Sequence, residues 1–139
     1  MRLTGGVCDR VMKIDRDAAW AAIVGHYARP GVADELLHAQ QASDLDIVLF
    51  LFFRYLEQDL HQVFDGAARA EARAAIESWR NAAIKPLRAM RRSLKEMAGL
   101  DAIDATHFAF RESLKQMELT AERIEFLSLC NWLEGRSKP

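Results

Sequence analysis

The chain has 139 residues, of which 50% are hydrophobic and 28% charged, and its formal net charge is -1. This length suits one domain with a sizeable core, the composition excludes a disordered protein, and so small a net charge excludes steering of nucleic acid or membranes by the whole molecule. Two cysteines, Cys8 and Cys130, are too few for a disulfide scaffold and indicate reduced thiols, although a single bridge between them is compatible with the sequence.

Residues 1–14 are predicted to form a partly ordered N-terminal arm. They include Gly5-Gly6 and several charged residues, and they lack the apolar stretch of a secretory signal. The main apolar run, Ile47 to Phe53, is far shorter than the roughly 20 residues that span a bilayer. We therefore expect a cytoplasmic protein that does not bind membranes.

The first predicted helix is capped by Asp15 or Asp17 and ends at Arg29-Pro30, because the residue before a proline avoids the helical region. Pro30 then suits the first turn of a second helix, where its missing N–H does no harm. Helical spacing predicts that these two helices turn the following residues inward: Trp20, Ile23, Val24, Tyr27, Val32, Leu36, Leu37 and Gln40.

A third helix is predicted to begin at a cap formed by Ser43 or Asp44. The seven apolar residues from Ile47 to Phe53 point in every direction around a helix. This helix is therefore expected to be buried on most sides.

A long helix is predicted from about Ala67 to Met97, after a break at Asp65-Gly66. Its hydrophobic residues recur every three or four positions and fall within roughly 80° of arc, which is typical of helix pairs in bundles. This seam consists of Ala72, Ile76, Trp79, Ala83, Leu87, Met90, Leu94 and Met97. Pro86 lies off the seam and is expected to kink or break the helix.

The rest of the chain is predicted to continue as one long helix or as two, since Thr120 can cap a separate final helix. Its seam residues are Phe110, Leu114, Met117, Ala121 and Ile124. Together the two seams predict a helical hairpin, and they also permit a homodimer. The resulting prediction is an all-α fold: a single bundle of five to six helices with a long hairpin kinked at Pro86. One domain would cover residues 15–135, and residues 136–139 would form a tail.

Three segments of the chain resemble a family of short bacterial proteins, chiefly from proteobacteria, whose function is unknown. They are Trp20, Tyr27-Ala28-Arg29-Pro30-Gly31-Val32, Gln40-Gln41 and Leu45 to Leu49; then Trp79, Lys85-Pro86-Leu87-Arg88, Arg91-Arg92 and Leu94-Lys95; and, more weakly, Glu118-Leu119, Ala121 and Glu122. The sequence departs from the family pattern at Arg54-Tyr55, where a tryptophan-leucine pair is expected. The resemblance implies an all-α fold, and it implies no activity, cofactor or catalytic residue.

A basic stripe on the long helix is the first candidate binding site. It comprises Arg80, Lys85, Arg88, Arg91, Arg92 and Lys95, with no acidic residue among them. On a regular helix the last five lie opposite the hydrophobic seam, where they would attract an acidic protein or another anion. Two alternatives are a merely solvated face and pairing with acids of the next helix, namely Glu112, Glu118, Glu122 and Glu125. No aromatic residues interleave with the stripe, which argues against single-stranded nucleic acid.

Polar residues at the junctions of the first three helices are the second candidate site. They are His26, Arg29, Gln40, Gln41, Asp44, Asp46 and Arg54, of which Arg29, Gln40, Asp46 and Arg54, together with Tyr27, would line a pocket. The alternative is that they tie helix ends together, with Asp44 or Asp46 acting as a cap. Convergence of Arg29, Asp46 and Arg54 on a closed pocket would favour a ligand site.

No catalytic motif is found, and the spacing of histidines and acids matches no known metal motif, so neither a metal nor another cofactor is expected. We therefore predict a non-catalytic adaptor or regulatory protein that binds a protein partner or an anionic ligand. The alternatives are a small-molecule-binding protein or small enzyme with a pocket around Asp46, and a protein that binds nucleic acid through the basic stripe.

Overall fold

The computed structural model describes residues 13–97, 99 and 105–136, and these residues form helices and no strands. The helices are α1 (Arg16–Tyr27), α2 (Val32–Ser43), α3 (Ile47–Gln58), α4 (Gly66–Trp79), α5 (Lys85–Glu96) and α6 (Ala105–Arg136). A π-helical segment, Arg80–Ile84, joins α4 to α5 in one continuous rod. The predicted all-α bundle is therefore confirmed, and the final region is one helix rather than two. Residues 1–12 of the predicted arm and 137–139 of the predicted tail lie outside the described residues.

The chain divides into two compact units. The first contains the described parts of Met1–Ala75 and Phe126–Pro139, and the second contains those of Ile76–Glu125. Helices α4 and α6 contribute residues to both units. A single domain over residues 15–135 stays a prediction.

In the first unit, aspartate side chains cap the beginnings of α1 and α3. The Ala18 N–H donates to Asp15 Oδ1 at 3.1 Å, so Asp15 caps α1 as predicted. The predicted cap of α3 is wrong: Asp46, rather than Ser43 or Asp44, accepts from the first turn. Asp44 instead ends α2 in the left-handed region, at φ 55°.

The predicted place of Pro30 inside the second helix is also wrong. Helix α2 begins at Val32, and its N-cap is Gly31, with φ 83°. A positive φ is costly for residues with a Cβ, so glycine allows the chain to reverse sharply here. Pro30 therefore lies in the turn between α1 and α2.

Helix α3 supplies the centre of the first unit, and its burial is as predicted, apart from the exposed Phe50. Phe52 packs against Phe126 of α6, with ring centroids 6.2 Å apart, and Phe126 lies 5.1 Å from the ring of Trp20. Cys130 is a buried free thiol in this core, and its burial raises its pKa to about 11. Two residues predicted to face inward, Val24 and Leu37, are exposed.

In the second unit, Pro86 lies two residues after the end of the π-helical segment. Proline has no N–H, and its ring collides with the carbonyl four residues earlier in a regular α-helix. The wider π turn, in which the Lys85 N–H donates to the Arg80 carbonyl, accommodates the ring without breaking the rod. The predicted disturbance at Pro86 is thus a π-helical segment.

The π-helical segment moves the buried side of the rod by one residue. The seam continued through Ala83, Leu87 and Met90 in the sequence prediction. In the structure Ile84 is buried, Arg88 and Arg91 contact α6, and Met90 is exposed. One extra residue in a turn shifts every later position around the helix axis, and a regular α-helical projection omits this shift.

Candidate functional site

The basic stripe is divided between ion pairs and the surface. Arg91 Nε donates to Glu118 Oε1 at 2.6 Å and its Nη2 donates to Oε2 at 3.3 Å, so the pair is bidentate. Arg88 lies 3.8 Å from Glu118 Oε2 and 3.8 Å from Glu122 Oε2. The expectation that all five cations face away from the packed side of the helix is therefore wrong for Arg88 and Arg91. These two arginines instead pair with acids of α6, which was the alternative expected from the sequence.

The other three cations of the stripe lie nearer to the solvent. Arg92 and Lys95 are exposed, and Lys85 is half-buried. Positions 85, 88, 92 and 95 are spaced by three or four residues, so they share one side of α5. This cationic side, formed by Lys85, Arg88, Arg92 and Lys95, is what remains of the predicted stripe.

Buried charge in the second unit was the feature that sequence reasoning missed. Arg80 is 2% exposed, Glu125 is 1% exposed and Glu118 is 8% exposed. Arg80 was counted in the basic stripe, but it lies within the π-helical segment, where a regular helical projection fails. The only sequence signal for this burial was Pro86 in the middle of a long helical pattern.

At the junction of α1, α2 and α3, the structure buries Gln40 and Asp46 and leaves Arg29 exposed. Tyr27 and Arg54 are half-buried. Asp46 Oδ1 accepts a hydrogen bond from the Leu49 N–H at 3.1 Å, so this carboxylate caps the beginning of α3. The capping alternative is confirmed for Asp46.

His26 lies in the last turn of α1. Partial burial lowers its pKa, and the guanidinium groups of Arg54 and then Arg29 lower it further, while Asp59 opposes them. Its Nδ1 atom is buried and forms no hydrogen bond with the described residues. Arg29 and Arg54 thus both act on His26, which was part of the polar junction set but not of the predicted pocket.

The described residues contain no group of three or more histidines, cysteines and acids that could hold a metal ion. Glu57, at the end of α3, binds Arg69. Arg69 also lies over the Phe53 ring, 4.7 Å from its centroid. None of the described helices combines the length and the apolar composition needed to cross a membrane.

Comparison with known families finds a match over residues 18–129 to a model described as a protein of unknown function (DUF2390). Searches of curated proteins and of solved structures return no match. The matched range includes all of α1 to α5 except the first residues of α1, and most of α6. By this match over most of its length, the chain belongs to the DUF2390 family of proteins of unknown function.

Proposed function

We propose that the protein is a non-catalytic adaptor or regulatory protein of the bacterial cytoplasm, and that it binds an acidic segment of a partner protein through the cationic side of α5. The observation that carries this proposal is the exposure of Arg92 and Lys95 next to the paired Arg88. Two accessible cations on one side of a helix can bind carboxylates on a helix or loop of the partner protein.

The charges around α5 favour an acidic partner over a neutral one. Helix α5 has five cations and one acid, Glu96, and the paired acids Glu118 and Glu122 leave two positive charges in excess. Arg88 and Arg91 are held in place by these pairs, so the helix surface is already ordered before a partner binds. Exposed ion pairs each contribute only about 0.2–1 kcal/mol. The partner is therefore expected to bind with modest affinity and to dissociate as salt increases.

Nucleic acid fits this surface less well. A phosphate backbone needs several unpaired cations in a row, whereas two of the five cations here already contact carboxylates. Nuclease treatment of any captured complex distinguishes these partners, because a complex bridged by nucleic acid would be lost.

The test is affinity capture from the native host with the parent protein and with the double variant Arg92→Glu, Lys95→Glu. A matched control, Lys13→Glu with Arg73→Glu, makes the same change in charge at two exposed residues elsewhere. We expect a partner that the parent and the control capture, that survives nuclease, and that the Arg92/Lys95 variant loses. Equal capture of every partner by the two variants would contradict the proposal.

A second candidate function is binding of a small anionic molecule at the junction of α1 and α3. It is favoured by the buried Nδ1 of His26, which lies under the influence of Arg29 and Arg54. A carboxylate or phosphate could accept hydrogen bonds from both arginines. Thermal melting with inorganic phosphate and with simple carboxylates tests this: stabilisation of the parent that Arg54→Gln abolishes would support it, and no shift would exclude these anions.

A further inference from the structure

The side of the second unit opposite its ion pairs is hydrophobic and exposed. Met90 of α5 and Met97, the residue just past its end, are 47% and 53% exposed. Phe110 and Met117 of α6 are 54% and 57% exposed. Ile124, at 38%, continues the row of α6. Phe110, Met117 and Ile124 are seven residues apart, which is nearly two turns, so they form one row on α6. Met90 and Met97 have the same separation and form the second, shorter row, which runs past the end of α5. We call the surface made by these five residues the uncharged face.

The ion pairs show that both rows lie on the same side of the α5–α6 pair. At about 100° per residue, Met90 is roughly 160° from Arg88, and Met117 is roughly 140° from Glu122. Arg88 and Glu122 contact each other on one side of the two helix axes. The two rows must therefore both lie on the other side.

No charged residue interrupts this surface among the described residues of α5 and of α6 up to Ile124. Within about 60° of the mean direction of each row, the polar residues in the helical projection are Ser93, Thr106, Ser113 and Thr120, and all four are neutral. The charged residues of both helices instead project toward the ion-paired side, toward the partner helix, or away from the face. Such a contiguous hydrophobic surface on a folded protein usually marks a binding site.

We propose that the uncharged face binds a second copy of this chain, so that two α5–α6 pairs pack together about a two-fold axis. Seven-residue spacing on both helices matches helix packing at crossing angles of roughly 20°. A two-fold interface brings a surface against itself, and a neutral face does so without opposing like charges. An acidic or basic partner would gain no attraction here.

The dimensions of the face limit the size of the interface that it can form. From Thr106 to Ile124, α6 is about 27 Å long at a rise of about 1.5 Å per residue. Two helices side by side are about 20 Å wide. The product of these dimensions, about 540 Å², is an upper limit because α5 is shorter than α6. It lies below the roughly 800 Å² per partner of a standard interface, so we expect a weak dimer. The flexible thioethers of three methionines also adapt readily to an identical surface.

This dimer is independent of the proposed acidic partner. The cationic side of α5 contains Arg92 and Lys95, and the uncharged face lies on the opposite side of the same helix. Dimerisation would therefore leave the cationic side accessible, and either proposal can fail without the other.

The test is sedimentation velocity of the full chain over about 1–100 μM. We expect a species of twice the 15.8 kDa chain mass. Met117→Glu places a charge in the centre of the face, and we expect the dissociation constant to rise at least about tenfold. Leu119→Glu is the matched control, because Leu119 is 48% exposed on a different side of α6. We expect this control to remain dimeric.

Three outcomes would overturn the proposal: a parent protein that stays monomeric at the highest concentration, a Met117→Glu variant that dimerises like the parent, or equal weakening by Leu119→Glu. Circular dichroism establishes that each variant is folded. If Met117→Glu does not fold, Met117→Gln replaces it, since glutamine has nearly the same size and is polar. That variant is expected to weaken the dimer measurably.

Discussion

Asp46 lies at the start of α3 with 4% of its surface exposed, and its Oδ1 accepts a hydrogen bond from the Leu49 N–H. The first N–H groups of any helix lack partners within the helix. Because the beginning of α3 is buried, water cannot easily replace this carboxylate. The side chain therefore has a structural role that its position in the sequence already suggested.

Asp46→Ala is expected to lower the free energy of unfolding by about 1–2 kcal/mol, which is the usual cost of losing a cap. Asp46→Asn keeps an oxygen that can accept the same hydrogen bond, so it should retain most of the stability. Urea denaturation of the three proteins measures the difference. An alanine variant as stable as the parent would show that the cap contributes nothing.

His26 gives the first unit a dependence on pH. Burial, Arg54 and Arg29 lower its pKa in the folded state below the ordinary 6.5. When pH falls below 6.5, the unfolded chain takes up a proton that the folded protein still resists, so stability decreases. This contribution is fully present above pH 6.5 and is lost as pH falls through the folded-state pKa.

Arg54→Gln is expected to raise the His26 pKa toward 6.5, because Arg54 lowers this pKa more than Arg29 does. Titration of the imidazole protons by NMR measures the shift, and a His26→Asn spectrum assigns the signal. Arg73→Gln, in which an exposed arginine of α4 is changed, is the control and should leave the titration unchanged. An identical His26 curve in the Arg54 variant would mean that Arg54 does not act on this ring.

At the scale of the helices, the connection between α5 and α6 depends on charge as well as on hydrophobic contact. Glu118 binds Arg91 through both carboxylate oxygens and lies near Arg88. Nearby, Trp79 Nε1 donates to the Ala121 carbonyl at 2.8 Å. The shift of one residue beyond the π-helical segment is what brings the two arginines to these acids.

Glu118→Gln is expected to lower the free energy of unfolding by about 2 kcal/mol. Removing one partner of a fully buried pair typically costs about 3–5 kcal/mol, and the cost is smaller here because the Arg91 side chain is 31% exposed. Glu112→Gln is the control: Glu112 is more exposed and pairs with Lys115, so we expect a change below about 0.5 kcal/mol. Equal effects of the two variants in urea denaturation would contradict this account.

At the scale of the whole molecule, α6 contributes residues to both units, and its C-terminal part completes the hydrophobic core of the first unit. Phe126 is fully buried between Trp20 and Phe52. The described ends of the first unit also meet, since Arg16 binds Glu134 at 2.8 Å and the Ile14 N–H donates to the same carboxylate. Residues more than 100 positions apart thus complete one core.

Phe126→Ala is expected to cost about 3–5 kcal/mol, the range for losing a buried aromatic side chain. Phe108→Ala removes the same atoms at a site that is 60% exposed, so its effect should stay within about 0.5 kcal/mol. Thermal and urea denaturation of both variants give the comparison. Similar losses in the two proteins would place Phe126 outside the core.

Several features of the fold could be predicted because their causes are local. The cap at Asp15, the all-round burial of α3 and the long rod after Asp65 follow from residues within a few positions of one another. The candidate sites were harder to predict. Whether Arg88 faces solvent or Glu118 depends on the rotation of a helix about its axis, and a single extra residue in one turn changes that rotation.

The sequence alone determined that this protein is helical and approximately where its helices lie, because spacing, caps and proline act within a turn or two of the backbone. Only the tertiary structure decided which side of α5 faces α6. The π-helical segment that accommodates Pro86 turned Arg88 and Arg91 toward Glu118 and left Met90 exposed. A side chain's surroundings depend on the accumulated rotation of the whole rod, and local sequence preferences do not fix that rotation.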